Sequence, residues 1–288
     1  MKLLVKTVLI ILFISSNLNL FSQNLYNYSL FNHNPEIYNP SSIVSDDLAS
    51  FFLTSRLQWA GFEGFPKYNA LGAAYSISPK MALGFSLFNS THGVINNLKA
   101  KVSYAYKINF SKNHFMKMGL SLGVVNDNLF FSQLEYVDLT DNAILPDNYN
   151  KISVTSAFGI SYQLKGFEAQ LILPQLYEYN EINLYGIGVF SYSFRANQVL
   201  SIKPSVLVRN TEINKIQADA VLNMQWRKKI WIQMGARSNG SIIFGIGNQT
   251  IGYAYESPTN NISGVSVGTH EILLKFRIKP TKYCPAYL

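Results

Sequence analysis

Cysteine is nearly missing from the sequence. Cys284 stands alone, which excludes an internal disulfide and a cysteine-built zinc site. Charge is sparse too, at 14% of residues, where a soluble domain carries about a quarter. Past residue 22 there is no run of the ~20 apolar residues that a spanning helix needs. The net charge of +8 is not gathered into a nucleic-acid patch, since the longest basic run is Arg227-Lys228-Lys229. The four histidines, His33, His92, His114 and His270, have no partners at metal-ligand spacing. His270 and Glu271 are adjacent, and on a strand they would face opposite sides. No glycine-rich phosphate loop stands between a strand and a helix. Gly119-Leu120-Ser121-Leu122-Gly123 carries the letters of a nucleophile elbow, but it reads as a strand with Gly119, Ser121 and Gly123 on its lumen face, without the sharp strand-to-helix turn that exposes a catalytic serine. The sequence therefore predicts no enzyme, no metal and no cofactor.

Aromatic residues, by contrast, are abundant, with 18 Tyr and 19 Phe. Residues 1–22 read as a secretory signal: Lys2 and Lys6, an apolar stretch over roughly Val8–Ile14, and Ser22 before Gln23. No cysteine follows to carry a lipid. From about residue 48 the dominant pattern is alternation with period two, as in Leu98-Lys99-Ala100-Lys101-Val102-Ser103-Tyr104-Ala105-Tyr106-Lys107-Ile108 and again in Ile216–Trp226 and Ile272–Ile278. A strand sorts two such sets onto opposite faces, whereas a helix would mix them.

Counting these runs predicts strands at 48–59, 67–77, 81–91, 97–110, 115–126, 151–164, 167–174, 182–195, 198–209, 213–227, 230–238, 241–247, 249–256 and 268–279. That makes about 14, an even number, as single-chain bacterial barrels require. The even-to-odd links (Ser78–Lys80, Ser111–His114, Lys165-Gly166, Ala196-Asn197, Lys228-Lys229 and the Asn248 region) are brief. The longest links, 127–150 and 257–267, are odd-to-even, which matches short periplasmic turns and longer outer loops. The expected fold is an all-β transmembrane antiparallel β-barrel over 48–279, after a pre-barrel segment at 23–47 and before a tail at 280–288. Two readings of 23–47 stay open, a disordered leader and a plug of the lumen built on Tyr26, Tyr28, Phe31 and Tyr38. Alternation is weakest at Leu171–Pro174 and at Ile242, Ile243 and Phe244, which are apolar on both faces.

Three blocks bear a resemblance. Asn24–Ser41 is aromatic-rich and ends in Tyr38-Asn39-Pro40-Ser41. Arg56-Leu57-Gln58-Trp59-Ala60-Gly61-Phe62-Glu63-Gly64-Phe65-Pro66 follows, and Gly268-Thr269-His270-Glu271 opens the last strand. In this order, with the strands between them and a Cys284-Pro285 tail, they resemble the PorP/SprF family; Ser41 replaces an alanine in the family pattern. The resemblance implies a noncatalytic outer-membrane protein of type IX secretion and gliding in a Gram-negative, Bacteroidota-like cell. It also implies partners: the periplasmic ring or cell-wall-binding subunits of the machinery, a secreted adhesin as cargo, and outer-membrane lipid. The residues singled out as a docking or structural motif are Arg56, Gln58, Trp59, Gly61, Phe62, Gly64, Pro66, Gly268, His270 and Glu271. In the structural reading, Trp59 lies in the interfacial aromatic girdle, Arg56 and Gln58 face the lumen, and Gly61 and Pro66 shape the first outer loop. In the docking reading, Phe62 and Phe65 contact a secreted adhesin. Lys80, Lys112, Lys165, Lys228 and Lys229 form either a solvated rim or a surface for an acidic periplasmic partner. The second functional reading is a passive channel for small solutes, tuned by lumen charges such as Lys99, Lys101, Lys107, Lys203 and Asp219.

Overall fold

Alternating side chains need two environments, and the computed structural model supplies both by closing one sheet on itself. It describes residues 27–129, 151–178, 181–182, 185–212, 215–258 and 264–280; the expected signal sequence, Tyr26 and Cys284 lie outside them. Fourteen antiparallel strands form the wall: β1 Ala49–Ala60, β2 Lys67–Ser78, β3 Met81–His92, β4 Ile95–Ser111, β5 His114–Leu129, β6 Lys151–Leu164, β7 Phe167–Glu178, β8 Ile187–Tyr192, β9 Leu200–Glu212, β10 Lys215–Trp226, β11 Ile230–Arg237, β12 Ile242–Asn248, β13 Ile251–Glu256 and β14 Gly268–Ile278. Each strand pairs with its sequence neighbours, and β1 pairs with β14 from Ala49↔Ile278 to Leu57↔His270. Pairing the first strand with the last closes the sheet, whose open edges in hydrocarbon would strand amide groups at several kcal/mol each.

Inner and outer faces separate cleanly. On β1, Phe51 and Leu53 are exposed while Ser50, Phe52, Thr54 and Arg56 are buried; on β4, Leu98, Val102, Tyr104 and Tyr106 face out and Lys99 faces in. Such a belt of exposed apolar residues around the whole wall is the surface of a barrel seated in lipid. The end that carries Ala49 and Ile278 also carries the short turns and is the periplasmic end. Leu129 and Lys151, and likewise Glu256 and Gly268, stand at the opposite, outer end.

Two predicted strands come out differently. Among the described residues, the run expected at 182–195 is divided: its main strand is Ile187–Tyr192, a two-residue ladder, Glu181–Ile182, stands on the end of β7, and Phe194–Arg195 is a separate two-residue strand. Glycine at 186 and 188 weakens this stretch as a strand. The Ala196-Asn197 link is correspondingly longer, and Phe194–Arg195 within it pairs with Ser201 and Ile202. Strand β7 runs past the expected stop at Pro174 to Glu178, and it does so through an irregularity: the register steps from Phe158↔Leu173 to Ser156↔Tyr177. A bulge tolerates the missing proline N–H there.

The lumen is occupied by the chain itself. Residues 27–47 run from the outer part of the barrel towards the periplasmic end through two 3-10 turns, Pro35–Ile37 and Pro40–Ile43, each opened by a proline. Tyr28, Leu30, Phe31, Ile37 and Tyr38 are buried against inward-facing Ile172, Leu207, Val221, Trp231, Ile243 and Leu273. Ile43 and Val44 pack on Ala74, Ala82 and Ala105. Close approach requires glycine at two wall positions. A Cβ at Gly119 would lie 2.4 Å from the Pro40 carbonyl carbon, and one at Gly159 would lie 2.1 Å from Asn39 Oδ1.

Candidate functional site

The two sequence blocks that lie farthest apart meet in the wall. Arg56 near the outer end of β1 is directly opposite Glu271 near the start of β14. Alternation turns both side chains inward, and there they join a network with Glu256, Arg237, Asp219 and Arg209. Arg56 Nη2 donates to Glu256 Oε2 at 2.8 Å, and Nη1 reaches Glu271 Oε2 at 3.4 Å. Arg237 bridges Glu256 Oε1 at 2.7 Å and Asp219 Oδ1 at 2.9 Å, and Arg209 pairs with the same aspartate.

The network grips the lumen segment. Glu271 accepts the amides of Ser29 (2.6 Å) and Leu30 (3.2 Å). Arg56 Nη1 donates to Ser29 Oγ at 3.0 Å, Gln233 Nε2 to the Ser29 carbonyl at 2.9 Å and Arg237 Nη2 to the Asn27 carbonyl at 3.2 Å. Farther down, His33 stacks on Trp231 with ring centroids 3.6 Å apart and hydrogen-bonds Asn223. Lys275 pairs with Glu36 at 2.9 Å, and Asn39 Nδ2 donates to Ser161 Oγ and Gln170 Oε1. Lys117 Nζ donates to the Val44 carbonyl at 2.7 Å. Burial first, then the charges of Lys203, Lys275 and Arg277, push the His33 imidazole down to about 3.

The lumen lysines expected from sequence are where alternation put them, but they are spoken for. Lys99 is held by Glu178 at 2.7 Å, Lys101 donates to the Pro174 carbonyl and Lys203 pairs with Glu168. Between segment and wall the space beside Lys99 and Lys101 amounts to about 40 Å³ and that beside Lys203 to about 30 Å³, room for a few waters at most.

Other motif residues divide by role. Gln58 faces the lumen on the same side of β1 as Arg56 and donates its backbone N–H to the Pro66 carbonyl, closing the first outer loop. Trp59 is half-buried at a bulge on the outer end of β1 with φ +55°, and its N–H donates to Thr269 Oγ1. Gly61 and Gly64 have φ of +125° and +74°, and a Cβ on Gly61 would lie 2.9 Å from the Val265 carbonyl oxygen, so this loop and the last one touch. Phe62 is exposed and edge-on to Phe65, and Val265 and Val267, whose backbone abuts Gly61, are exposed too. Gly268 at φ +106° makes room for the Tyr255 ring. His270 turns outward to the Tyr253 hydroxyl at 2.8 Å. At the periplasmic end Lys80, Lys112, Lys165, Lys228 and Lys229 are all exposed, joined by Arg195, Arg227 and Arg277.

Sequence reasoning missed Arg209, Arg237 and Glu256 as members of the network. Their signal was present: a charge on the inward phase of a strand near its outer end. The four histidines engage neutral groups, His33 with Asn223, His114 with Tyr162, His270 with Tyr253 and His92 edge-on with the Tyr68 ring. Among the described residues no group of three or more His, Cys, Asp or Glu could hold a metal ion.

Comparison with solved structures returns outer-membrane barrels. The toluene transporter TbuX of Ralstonia pickettii matches with a TM-score of 0.50 at 9% identity, over 85% of this chain and 93% of that one. The monoaromatic hydrocarbon channel CymD has a TM-score of 0.49 at 10% identity, over 87% and 92%. Outer membrane phospholipase A from Escherichia coli has 0.39 at 7%, over 83% and 98%. At such identities the likeness is one of fold alone. No curated protein sequence matches the chain. The family model described as type IX secretion system membrane protein PorP/SprF matches residues 20–276. The chain, an outer-membrane barrel, therefore belongs to the PorP/SprF family of type IX secretion system membrane proteins.

Proposed function

We propose that this barrel is a noncatalytic component of the type IX secretion and gliding machinery that assists export or surface attachment of a partner adhesin. The observation that carries this reading is the filled lumen. Glu271, Arg56, Arg237, Lys275 and Lys117 hold residues 27–47 in place and other inner charges pair within the wall, which suits a docking platform better than a solute path. The channel reading has no comparable support.

Each end has a surface suited to a partner. At the outer end Phe62, Phe65, Val265 and Val267 form an apolar patch on two touching loops; in this reading they meet the adhesin. At the periplasmic end the exposed lysines would meet an acidic face of the periplasmic ring or of a cell-wall-binding subunit, where charge speeds and orients encounter. The protein reaches the outer membrane of a Bacteroidota-like cell after removal of residues 1–22.

Deletion of the gene followed by proteomics of the cell surface tests the role. The expected outcome is loss of one or a few large adhesins with the rest of the surface unchanged; an intact surface with altered solute uptake would instead establish the channel. Reversing Lys80, Lys112, Lys165, Lys228 and Lys229 to glutamate separates the periplasmic contact. Insertion should persist while recovery of ring or cell-wall-binding subunits falls, and unchanged recovery removes that contact from the proposal.

A further inference from the structure

Three consecutive turns at the periplasmic end form one surface. They join β6 to β7 (residues 165–166), β8 to β9 (residues 193–199) and β10 to β11 (residues 227–229). Main-chain hydrogen bonds tie them together: the Ser193 N–H donates to the Gly166 carbonyl at 2.8 Å and the Arg227 N–H to the Val199 carbonyl at 2.6 Å. Lys165, Arg195, Arg227, Lys228 and Lys229 stand exposed on this surface, and none of the three turns contains a carboxylate.

Next to these cations the outward face of the wall is aromatic and aliphatic. Phe167, Tyr192, Phe194, Trp226 and Ile230 are all exposed there. The register makes them neighbours, with Phe167 opposite Tyr192 and Trp226 opposite Ile230, and the Tyr192 and Phe194 rings lie 6.2 Å apart. Tyr and Trp gather where a bilayer meets water, so the adjoining cations stand at the depth of the lipid phosphates. The backbone carries a second, independent sign. Among the described residues other than glycine, φ is positive at Trp59, Lys165, Arg227 and Lys228, and the last three are cations of this surface. Left-handed backbone is unfavourable for such residues, and its retention at one place points to a use for their side chains.

We propose that the surface formed by these three turns binds an anionic phospholipid of the periplasmic leaflet, with the phosphate held by Arg195, Arg227 and the neighbouring lysines and the acyl chains laid along Phe167, Tyr192, Phe194 and Trp226. A guanidinium matches phosphate as a two-pronged donor, and each cation at a lipid surface adds to the attraction for anionic headgroups. Lys80 and Lys112 belong to other turns and remain for the periplasmic partner. Failure of the inference leaves the proposed function standing, with all the rim cations free for that partner.

The test uses the full-length protein in phosphatidylcholine nanodiscs that carry a minor share of phosphatidylglycerol. Native mass spectrometry after release into detergent counts the lipids that stay bound. The wild type should retain phosphatidylglycerol over phosphatidylcholine by about tenfold relative to their mole ratio. Arg195→Gln/Arg227→Gln should lose most of this preference, whereas Lys80→Gln/Lys112→Gln, which removes the same charge elsewhere on the rim, should keep it. Heat-modifiable migration in SDS gels establishes that each barrel is closed. A second measurement needs no change to the cations: phosphatidylglycerol brominated on its acyl chains should quench the fluorescence of Trp226, identified by its loss in Trp226→Phe, more strongly than brominated phosphatidylcholine at the same mole fraction. No retained excess of phosphatidylglycerol, no excess quenching by it, or equal loss of preference in the two double variants each overturns the proposal.

Discussion

At Arg56, Arg209, Asp219, Arg237, Glu256 and Glu271 the outer half of the lumen keeps six charges almost wholly from solvent. Each is tolerable only because its neighbours carry the opposite sign, and deleting one partner of such a pair leaves the other as an uncompensated buried charge, at about 3–5 kcal/mol. His33 poses a different problem. It is buried against Trp231 and Asn223 and faces the cations Lys203, Lys275 and Arg277, so it stays neutral with its pKa near 3. Released from the wall, its pKa returns to about 6.5. Above that value both forms are neutral and docking of the segment does not depend on pH. Below it the released form binds a proton that the docked form refuses, so docking weakens steadily as pH falls from about 6.5 towards 3. At pH 5.5 the released fraction should rise about tenfold over that at pH 7.5. Hydrogen exchange of residues 27–47, corrected for intrinsic rates, reads this directly; His33→Asn should abolish the pH dependence, and a wild type that shows none would refute the assignment.

At the scale of the element, what could be read from sequence was set by how each strand meets its neighbours. Strand limits agreed to within a few residues wherever alternation was unbroken, as over 98–108, because lipid outside and polar lumen inside impose period two. Two positions that looked weakest, Ile172 and Ile243, are among those where the lumen is not polar: both belong to the apolar cluster built on the resident segment. Breaks in the pattern were thus a footprint of residues 27–47, but locating the occupant needed the pairing of distant elements that only the closed structure displays. The same limit hid the link from Arg56 to Arg209, whose intermediates lie on strands far apart in sequence. One turn departs from ordinary hairpin chemistry. Lys229 N donates to the Trp226 carbonyl at 2.9 Å, and the two residues between, Arg227 and Lys228, have φ of +47° and +57°. Such turns favour Asn-Gly, and a left-handed residue other than glycine costs roughly 1–2 kcal/mol. Arg227→Asn with Lys228→Gly should stabilise the barrel by about 1 kcal/mol, seen as a higher urea midpoint. Should the midpoint fall, these cations hold the turn by contacts of their own.

For the whole molecule, the balance lies between a wall that could enclose water and a segment that denies water the space. Fourteen strands make a cylinder wide enough for a lumen, and the inner face carries more lysine and arginine than carboxylate: Lys99, Lys101, Lys117, Lys203, Lys275 and the three arginines against Glu168, Glu178, Asp219, Glu256 and Glu271. With residues 27–47 in place, the wild type should show no large, steady conductance in planar bilayers. Deleting residues 27–44 removes the segment and frees Lys117 and Lys275 from Val44 and Glu36, so the inner field becomes more positive. Rings of basic side chains select anions. The deletion variant should therefore open a steady, anion-selective conductance, at some loss of thermal stability, because Ile172, Leu207, Ile243 and Leu273 then face water. Heat-modifiable migration establishes that the cylinder still closes. Wild-type conductance equal to that of the deletion variant would mean that the segment leaves the lumen readily in the membrane, and a closed but nonconducting deletion variant would mean that something other than residues 27–44 blocks the path.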